Sequence, residues 1–281
     1  MLHDISVSNH ETSDLGSSIV MKETWDTRIQ RAERLAIERR DSAELLSFYA
    51  ALLGAQKQVY EQLRALKSWL PSGSLERDLP VLRTMLPGLL EIVEANAPAA
   101  LASEARSLLS ESQSEIDGML IEYWQAPSDV QFFAKAFLQP YASWLYESGA
   151  KPDRNLVEVE NRCPFCGGKP QVSVLQIKDA SSDSGGRDLV CSTCLMSWPF
   201  RRVICASCGE ENPDKIGYYH APDYDYIRVE ACDACRHYIK TVDLTRFGFA
   251  IPLVDEVAAA PLDLWAREHG YTKIEMNLLG I

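Results

Sequence analysis

The chain has 281 residues, of which 46% are hydrophobic, and a formal charge of −12. That length suits two domains, each able to bury its own core. The acidity argues against a general nucleic-acid binder, which needs a basic face to neutralise phosphates, and no apolar run reaches the roughly 18 residues of a membrane span.

Residues 1–22 are polar and without period, and they read as a disordered leader. The start, Met1-Leu2-His3-Asp4, lacks the basic head and apolar core of a secretory signal, so a reducing compartment is expected. From residue 23 to about 148 the pattern is helical. Asp41 and Glu44 form a capping-box-like pair ahead of a stripe through Leu45, Tyr49, Leu52, Leu53, Val59, Leu63 and Leu66. Pro71-Ser72-Gly73-Ser74 breaks that helix. The next segment starts near Leu75 and is divided by Pro80 and Pro87, and another short helix starts at Pro98. A helix from about Ser114 carries Ile116, Leu120 and Trp124. The last starts at Ser128, carries Phe132, Phe133, Phe137, Tyr141, Trp144 and Leu145, should kink at Pro140, and ends at Gly149. Aromatics at helical spacing read as core rather than as a peptide groove. A linker follows, from Gly149 to about Val159.

All eight cysteines lie beyond that linker, in four Cys-x-x-Cys pairs: Cys163–Cys166, Cys191–Cys194, Cys205–Cys208 and Cys232–Cys235. The gaps between pairs are 24, 10 and 23 residues, so the region repeats at about 41 residues. Glycine follows the first and third pairs (Gly167, Gly209), whereas Leu195 and Arg236 follow the second and fourth. A turn after a knuckle's second cysteine often takes positive φ, which glycine adopts without steric cost. The repeat favours Cys163, Cys166, Cys191 and Cys194 around one ion and Cys205, Cys208, Cys232 and Cys235 around another. In the rival, nested scheme the two middle pairs share a metal.

Disulfides do not suit a reducing compartment, a thioredoxin-type centre needs one pair rather than four, and iron–sulfur clusters usually show irregular spacing. Tetrahedral thiolate sites suit zinc by default, and a mononuclear iron would look identical in sequence. Four cysteines complete each shell, which leaves His220 and His237 outside it and no open position for catalysis. Short strands fit Gln171–Leu175, Gly217–His220 and Tyr226–Glu230, with a Ser/Asp/Gly loop at 181–186 and a turn at Pro222. Units this small have little apolar core, so the metal should supply much of their folding free energy. The Arg201-Arg202 doublet reads as a solvated loop. A helix is expected at about 255–269, and the apolar end Asn277–Ile281 should dock on the protein. Gly-x-x-x-x-Gly-Lys, Gly-x-Gly-x-x-Gly, His-Glu-x-x-His and Gly-x-Ser-x-Gly motifs are all absent.

The chain resembles the formate dehydrogenase accessory protein (FdhE) family. The resemblance lies in the helical first half and in Cys163-Pro164-Phe165-Cys166-Gly167-Gly168, Cys191-Ser192-Thr193-Cys194, Cys205-Ala206-Ser207-Cys208-Gly209 and Cys232-Asp233-Ala234-Cys235-Arg236. It continues in Tyr238–Asp243, Pro261–Ala266 and Asn277–Ile281. It implies an α+β chain: an all-α domain over 23–150, two tandem rubredoxin-like, zinc-ribbon-like four-cysteine units over 160–202 and 203–245, and a docked C-terminal tail over 246–281. It also implies a cytoplasmic, non-enzymatic maturation factor that binds the catalytic subunit of respiratory formate dehydrogenase before export. Two mononuclear ions are implied, with iron favoured and zinc the alternative; neither nucleic acid nor membrane insertion is expected, and homo-oligomerisation is left open. The rival readings are a rubredoxin-like electron-transfer component and a zinc-ribbon nucleic-acid-binding protein.

Overall fold

The computed structural model describes residues 23–127, 131–154, 159–177 and 185–281. The expected leader, the helix start at Ser128 and most of the 181–186 loop lie outside the described residues.

Among the described residues, seven helices come first: α1 (Trp25–Glu38), α2 (Ala43–Ala65), α3 (Leu75–Leu82), α4 (Leu86–Asn96), α5 (Ala99–Leu108), α6 (Gln113–Gln125) and α7 (Phe132–Ser148). Capping boxes start α1 at Thr24/Thr27 and α6 at Ser112/Glu115. The expected box at Asp41/Glu44 is not formed. Asp41 lies in a 3-10 turn, Arg40–Ser42, and α2 begins behind it with no side-chain cap. The turn's own carbonyls take the first amides, Ser42 N–H donating to Arg39 O at 3.0 Å and Ala43 N–H to Arg40 O.

Helix α7 is the axis of the helical half, with Phe133, Phe137 and Tyr141 buried and Phe132 and Trp144 partly so. Pro140 has no N–H to offer the carbonyl of Ala136. The buried Gln56 on α2 replaces that donor, its Nε2 lying 2.8 Å from Ala136 O. Gln56 Nε2 also donates to Gln139 Oε1 at 3.1 Å, and Gln139 Nε2 donates to Ser192 O at 2.9 Å. One polar relay therefore runs from α2 through α7 into the cysteine-bearing half.

Each cysteine unit is a three-stranded meander. The first is β1 (Pro170–Gln176), β2 (Gly186–Cys191) and β3 (Ser197–Phe200); the second is β4 (Ile216–His220), β5 (Ile227–Cys232) and β6 (His237–Asp243). Neighbours within each meander are antiparallel. The meanders do not stand apart. Strand β1 pairs parallel with β6, Val172 opposite Lys240 through Leu175 opposite Asp243, which gives one sheet in the order β3-β2-β1-β6-β5-β4. Its faces contribute to two apolar clusters. One joins Leu189, Trp198 and Ile239 to the helices, and the other gathers Val172, Val174, Val229 and Val242. The two small sheets expected from the sequence are thus joined into one, with a larger core than either would have alone.

Two helices, α8 (Pro252–Ala258) and α9 (Ala260–Glu268), stand where one was expected. Pro261 cannot donate to Val257 O and ends the first of them. A two-residue strand, β7 (Thr272–Lys273), then adds to β6. Lys240, Lys273, Glu256 and Asp263 form a buried ion cluster, with Lys240–Glu256 at 3.2 Å and Lys273–Asp263 at 3.1 Å. Its two positive and two negative charges cancel, which offsets their desolvation. Lys273 Nζ also donates to Ile281 O at 2.8 Å, which fixes the final residues to the sheet. Among the described residues no helix is long and apolar enough to cross a membrane.

Gln56→Leu should destabilise the folded protein by about 1–3 kcal/mol, because the Ala136 carbonyl is left buried without a donor. In a Pro140→Ala background the residue at 140 regains an N–H for that carbonyl, and the cost should shrink. Urea unfolding of the four proteins of this double-mutant cycle checks it; equal costs in both backgrounds would refute the compensation.

Candidate metal centres

The four knuckles occupy equivalent places in the two meanders. Cys163–Cys166 precedes β1, and Cys191–Cys194 spans the turn from β2 to β3. Likewise Cys205–Cys208 precedes β4, and Cys232–Cys235 spans the turn from β5 to β6. Backbone bonds repeat with them: Gly167 N–H to Cys163 O at 2.8 Å matches Gly209 N–H to Cys205 O at 3.0 Å, and Cys163 N–H to Gly168 O at 3.0 Å matches Cys205 N–H to Glu210 O at 2.9 Å. All four residues after the knuckles take positive φ: Gly167 at 72°, Leu195 at 61°, Gly209 at 75° and Arg236 at 58°. For Leu195 and Arg236 this costs about 1–2 kcal/mol each, so the surrounding contacts must enforce the turn. Arg236 stacks 3.9 Å from the Tyr271 ring centroid and pairs with Asp233 at 2.6 Å, and its carbonyl accepts from Thr272 N–H at 2.8 Å.

The sulfurs gather in tandem, not in the nested scheme. Cys163, Cys166, Cys191 and Cys194 form one cluster and Cys205, Cys208, Cys232 and Cys235 the other, with the ligand atoms of each within 4.8 Å of one another. Contacts of 3.6 Å (Cys163–Cys194), 3.4 Å (Cys166–Cys191) and 3.5 Å (Cys166–Cys194) define the first, and 3.7 Å (Cys205–Cys235) and 3.8 Å (Cys208–Cys232) the second. These are far too long for sulfur–sulfur bonds. A tetrahedron with metal–sulfur bonds of ~2.3 Å has edges of ~3.8 Å, so both cages are of the size that zinc or iron fits. Contacts from Cys166, Cys191 and Cys194 pull the Cys163 thiol far down, while burial pushes Cys191 and Cys194 well up. A single cluster cannot hold four such sulfurs as thiolates without a cation among them. In the second, burial raises Cys205 and Cys235. At Cys208 burial acts the same way but is outweighed by the Glu210 N–H and by neighbouring thiols, and the group is lowered. Backbone amides add to the cages, with Thr193 N–H 3.3 Å from Cys191 Sγ and Ser207 N–H 3.3 Å from Cys205 Sγ.

The two centres differ in what surrounds them. All four cysteines of the first are buried in the core shared with the helices. Phe165 packs edge-on against Tyr146 of α7 at 5.2 Å, and Trp198 Nε1 donates to Glu160 O at 3.0 Å. In the second, Cys208 is exposed and Cys235 half-buried. His237 lies outside the shell, its Nδ1 2.7 Å from Cys235 O, and His220 lines an open surface hollow with Arg228 and Arg246. Arg201 pairs with Glu160 and Glu211 at the surface.

One residue that the spacing did not single out is Gly168. A Cβ there would sit 2.8 Å from Cys191 Sγ and 2.9 Å from Thr193 Oγ1. Its repeat partner is Glu210, so the pattern around the pairs gave no signal for it.

Gly168→Ala should therefore empty the first centre and spare the second, halving the metal measured per chain by elemental analysis. A chromophoric thiol-competing chelator should remove metal in two phases, the fast one from the exposed second centre. Cys208→Ser should abolish the fast phase; a single phase in the parent protein would contradict the assignment.

Family models described as "FdhE, central domain" and "FdhE, C-terminal domain" match residues 162–202 and 203–279, one for each cysteine unit. A "Protein FdhE homolog" of Aquifex aeolicus is 30% identical over 85% of this chain and 89% of its own length. A protein of the same name from Haemophilus influenzae (strain PittEE) is 26% identical, covering 91% of this chain and 88% of its own. The crystal structure of the FdhE protein from Pseudomonas aeruginosa superposes with a TM-score of 0.68 at 22% identity, over 95% of this chain and 97% of that one, and so shares its fold. By the extent of these matches, the chain belongs to the FdhE family.

Proposed function

We propose that this protein is a non-enzymatic accessory factor for respiratory formate dehydrogenase, which binds the enzyme's catalytic subunit in the cytoplasm before export. The observation that carries the reading is full-length similarity to FdhE relatives together with the gathering of all eight cysteines into two closed cages. Cages of four sulfurs leave no coordination position for a substrate, which favours a binding role over catalysis. Cys163, Cys166, Cys191 and Cys194 would hold one ion, and Cys205, Cys208, Cys232 and Cys235 the other. Zinc would act as a clamp only, whereas iron, which the resemblance favours, would add a one-electron couple. The chain's own part is to supply the thiolates, donate amide hydrogens to them and keep the first cage dry. A rubredoxin-like electron-transfer role is the second reading, favoured by the exposed Cys208 at the second cage; reversible bleaching of a visible iron–thiolate band by a physiological reductase would support it.

Affinity capture from the native host, grown with formate dehydrogenase induced, should enrich the catalytic subunit. The Cys163→Ser/Cys166→Ser protein should lose it. Recovery of nucleic acid or an unrelated reductase instead would overturn the accessory reading. Full accessory activity with zinc in both centres would remove any redox role for the metal.

A further inference from the structure

A cavity of about 720 Å³ lies between the helical half and the first centre. Trp124 of α6, Arg154 of the linker and Arg162 beside the first knuckle line it, with Cys166 in its wall. Gly73 fixes the linker there: its φ is +86°, a Cβ would meet Lys151 O at 2.0 Å, and its carbonyl accepts from Asp153 N–H at 2.9 Å. Two buried donors of this cavity are unspent. The indole N–H of Trp124, a residue only 3% exposed, has no acceptor. Neither has the buried Nη1 of Arg154, whose guanidinium lies 5.3 Å from the Trp124 ring centroid. Among the described residues, no ion pair engages Arg154 or Arg162. A buried donor without an acceptor costs about 1–3 kcal/mol, and two such donors in one cavity, with the half-buried Arg162 guanidinium beside them, call for an anion.

The setting selects its chemistry. A divalent ion in the first cage leaves two negative charges on its four thiolates, and Glu76 and Asp153 stand at the cavity's edge. A doubly charged phosphate would be repelled by both, whereas a single carboxylate matches a guanidinium fork plus one indole donor. The volume far exceeds a formate ion and falls within the ~300–1,000 Å³ of ligand clefts. Leu75, Ile121 and Val159 offer apolar walls on either side of the donors. We infer that the cavity binds an acidic side chain carried by a peptide segment, with Trp124, Arg154 and Arg162 as the anchoring donors. That the segment belongs to the client enzyme rests on the accessory reading; the binding itself does not.

The test uses the full-length, metal-loaded protein and follows the Trp124 indole resonance by NMR, assigned by its loss in Trp124→Phe. The probes are a capped pentapeptide of leucine and alanine with one central aspartate, its asparagine counterpart, sodium formate and sodium phosphate. The aspartate peptide should shift the resonance saturably and the asparagine peptide should not. Arg154→Gln and, independently, Arg162→Gln should each weaken binding by about tenfold or more, with metal content unchanged. No saturable shift, or equal binding of both peptides, would overturn the inference. So would formate or phosphate competing as well as the peptide, and so would variants that lose metal without losing peptide, which would make the arginines counter-charges for the thiolates. Peptide binding with no client captured from the host would sink the accessory reading and leave the cavity's assignment standing; the reverse result would do the opposite.

Discussion

Four sulfur atoms held within 4.8 Å of one another, twice in one chain, are the constraint on which the C-terminal half depends. Such sulfurs cannot all be thiolates without a cation, and as neutral thiols they accept only weakly from the amides aimed at them. The cost of that arrangement is visible in the backbone. Leu195 and Arg236 are the only non-glycine residues with positive φ among the described residues, and both follow a knuckle. Local propensity would not place either side chain there. The turn is enforced by what closes on it, and an ion held by the adjacent sulfurs would be a partner common to both.

The first cage is also where the two halves of the molecule join. The Gln56–Gln139–Ser192 relay, the Tyr146–Phe165 contact and the salt bridge from Lys135 on α7 to Glu275 at 3.1 Å all converge around it. Arg31 of α1 also reaches Asp255 of α8 at 2.6 Å. Loss of an ion from the first cage would thus loosen the seat of α7. Because the units share a sheet and two apolar clusters, part of the stability that small ribbons would draw from metal comes here from ordinary burial.

Features set by local chemistry were legible in the sequence. The cysteine pairs, the tandem repeat, the helical stripe of α2 and the stop at Gly149 each depend on residues near one another in the chain. The Asp41/Glu44 pair misled because a 3-10 turn supplied its own acceptors, a choice that sequence spacing does not reveal. Strands β2 and β6 escaped because burial on both faces removes alternation, as in the continuous burial of Ile239–Val242, whereas β3 alternates but spans only four residues, with Pro199 among them. The β1–β6 pairing joins residues almost 70 positions apart, Val172 and Lys240, and no local pattern encodes it. Gly168 was missed for the opposite reason: its role comes from Cys191 and Thr193 across the cage, not from its own knuckle.

The unequal exposure of two such similar cages follows from the sheet. Meanders ordered β3-β2-β1 and then β6-β5-β4 run in the same sense, so the second repeats the first along the sheet and does not face it across a two-fold axis. A single layer of helices can then cover one cage fully and the other only in part. Helix α7 lies against the first, and the second is left at the end of the sheet with Cys208 in solvent. Had the meanders met by their equivalent edges, both cages would share one environment and one rate of metal loss. The parallel pairing of β1 with β6 therefore divides the labour: one cage is built into the core, and the other is left open to the surroundings.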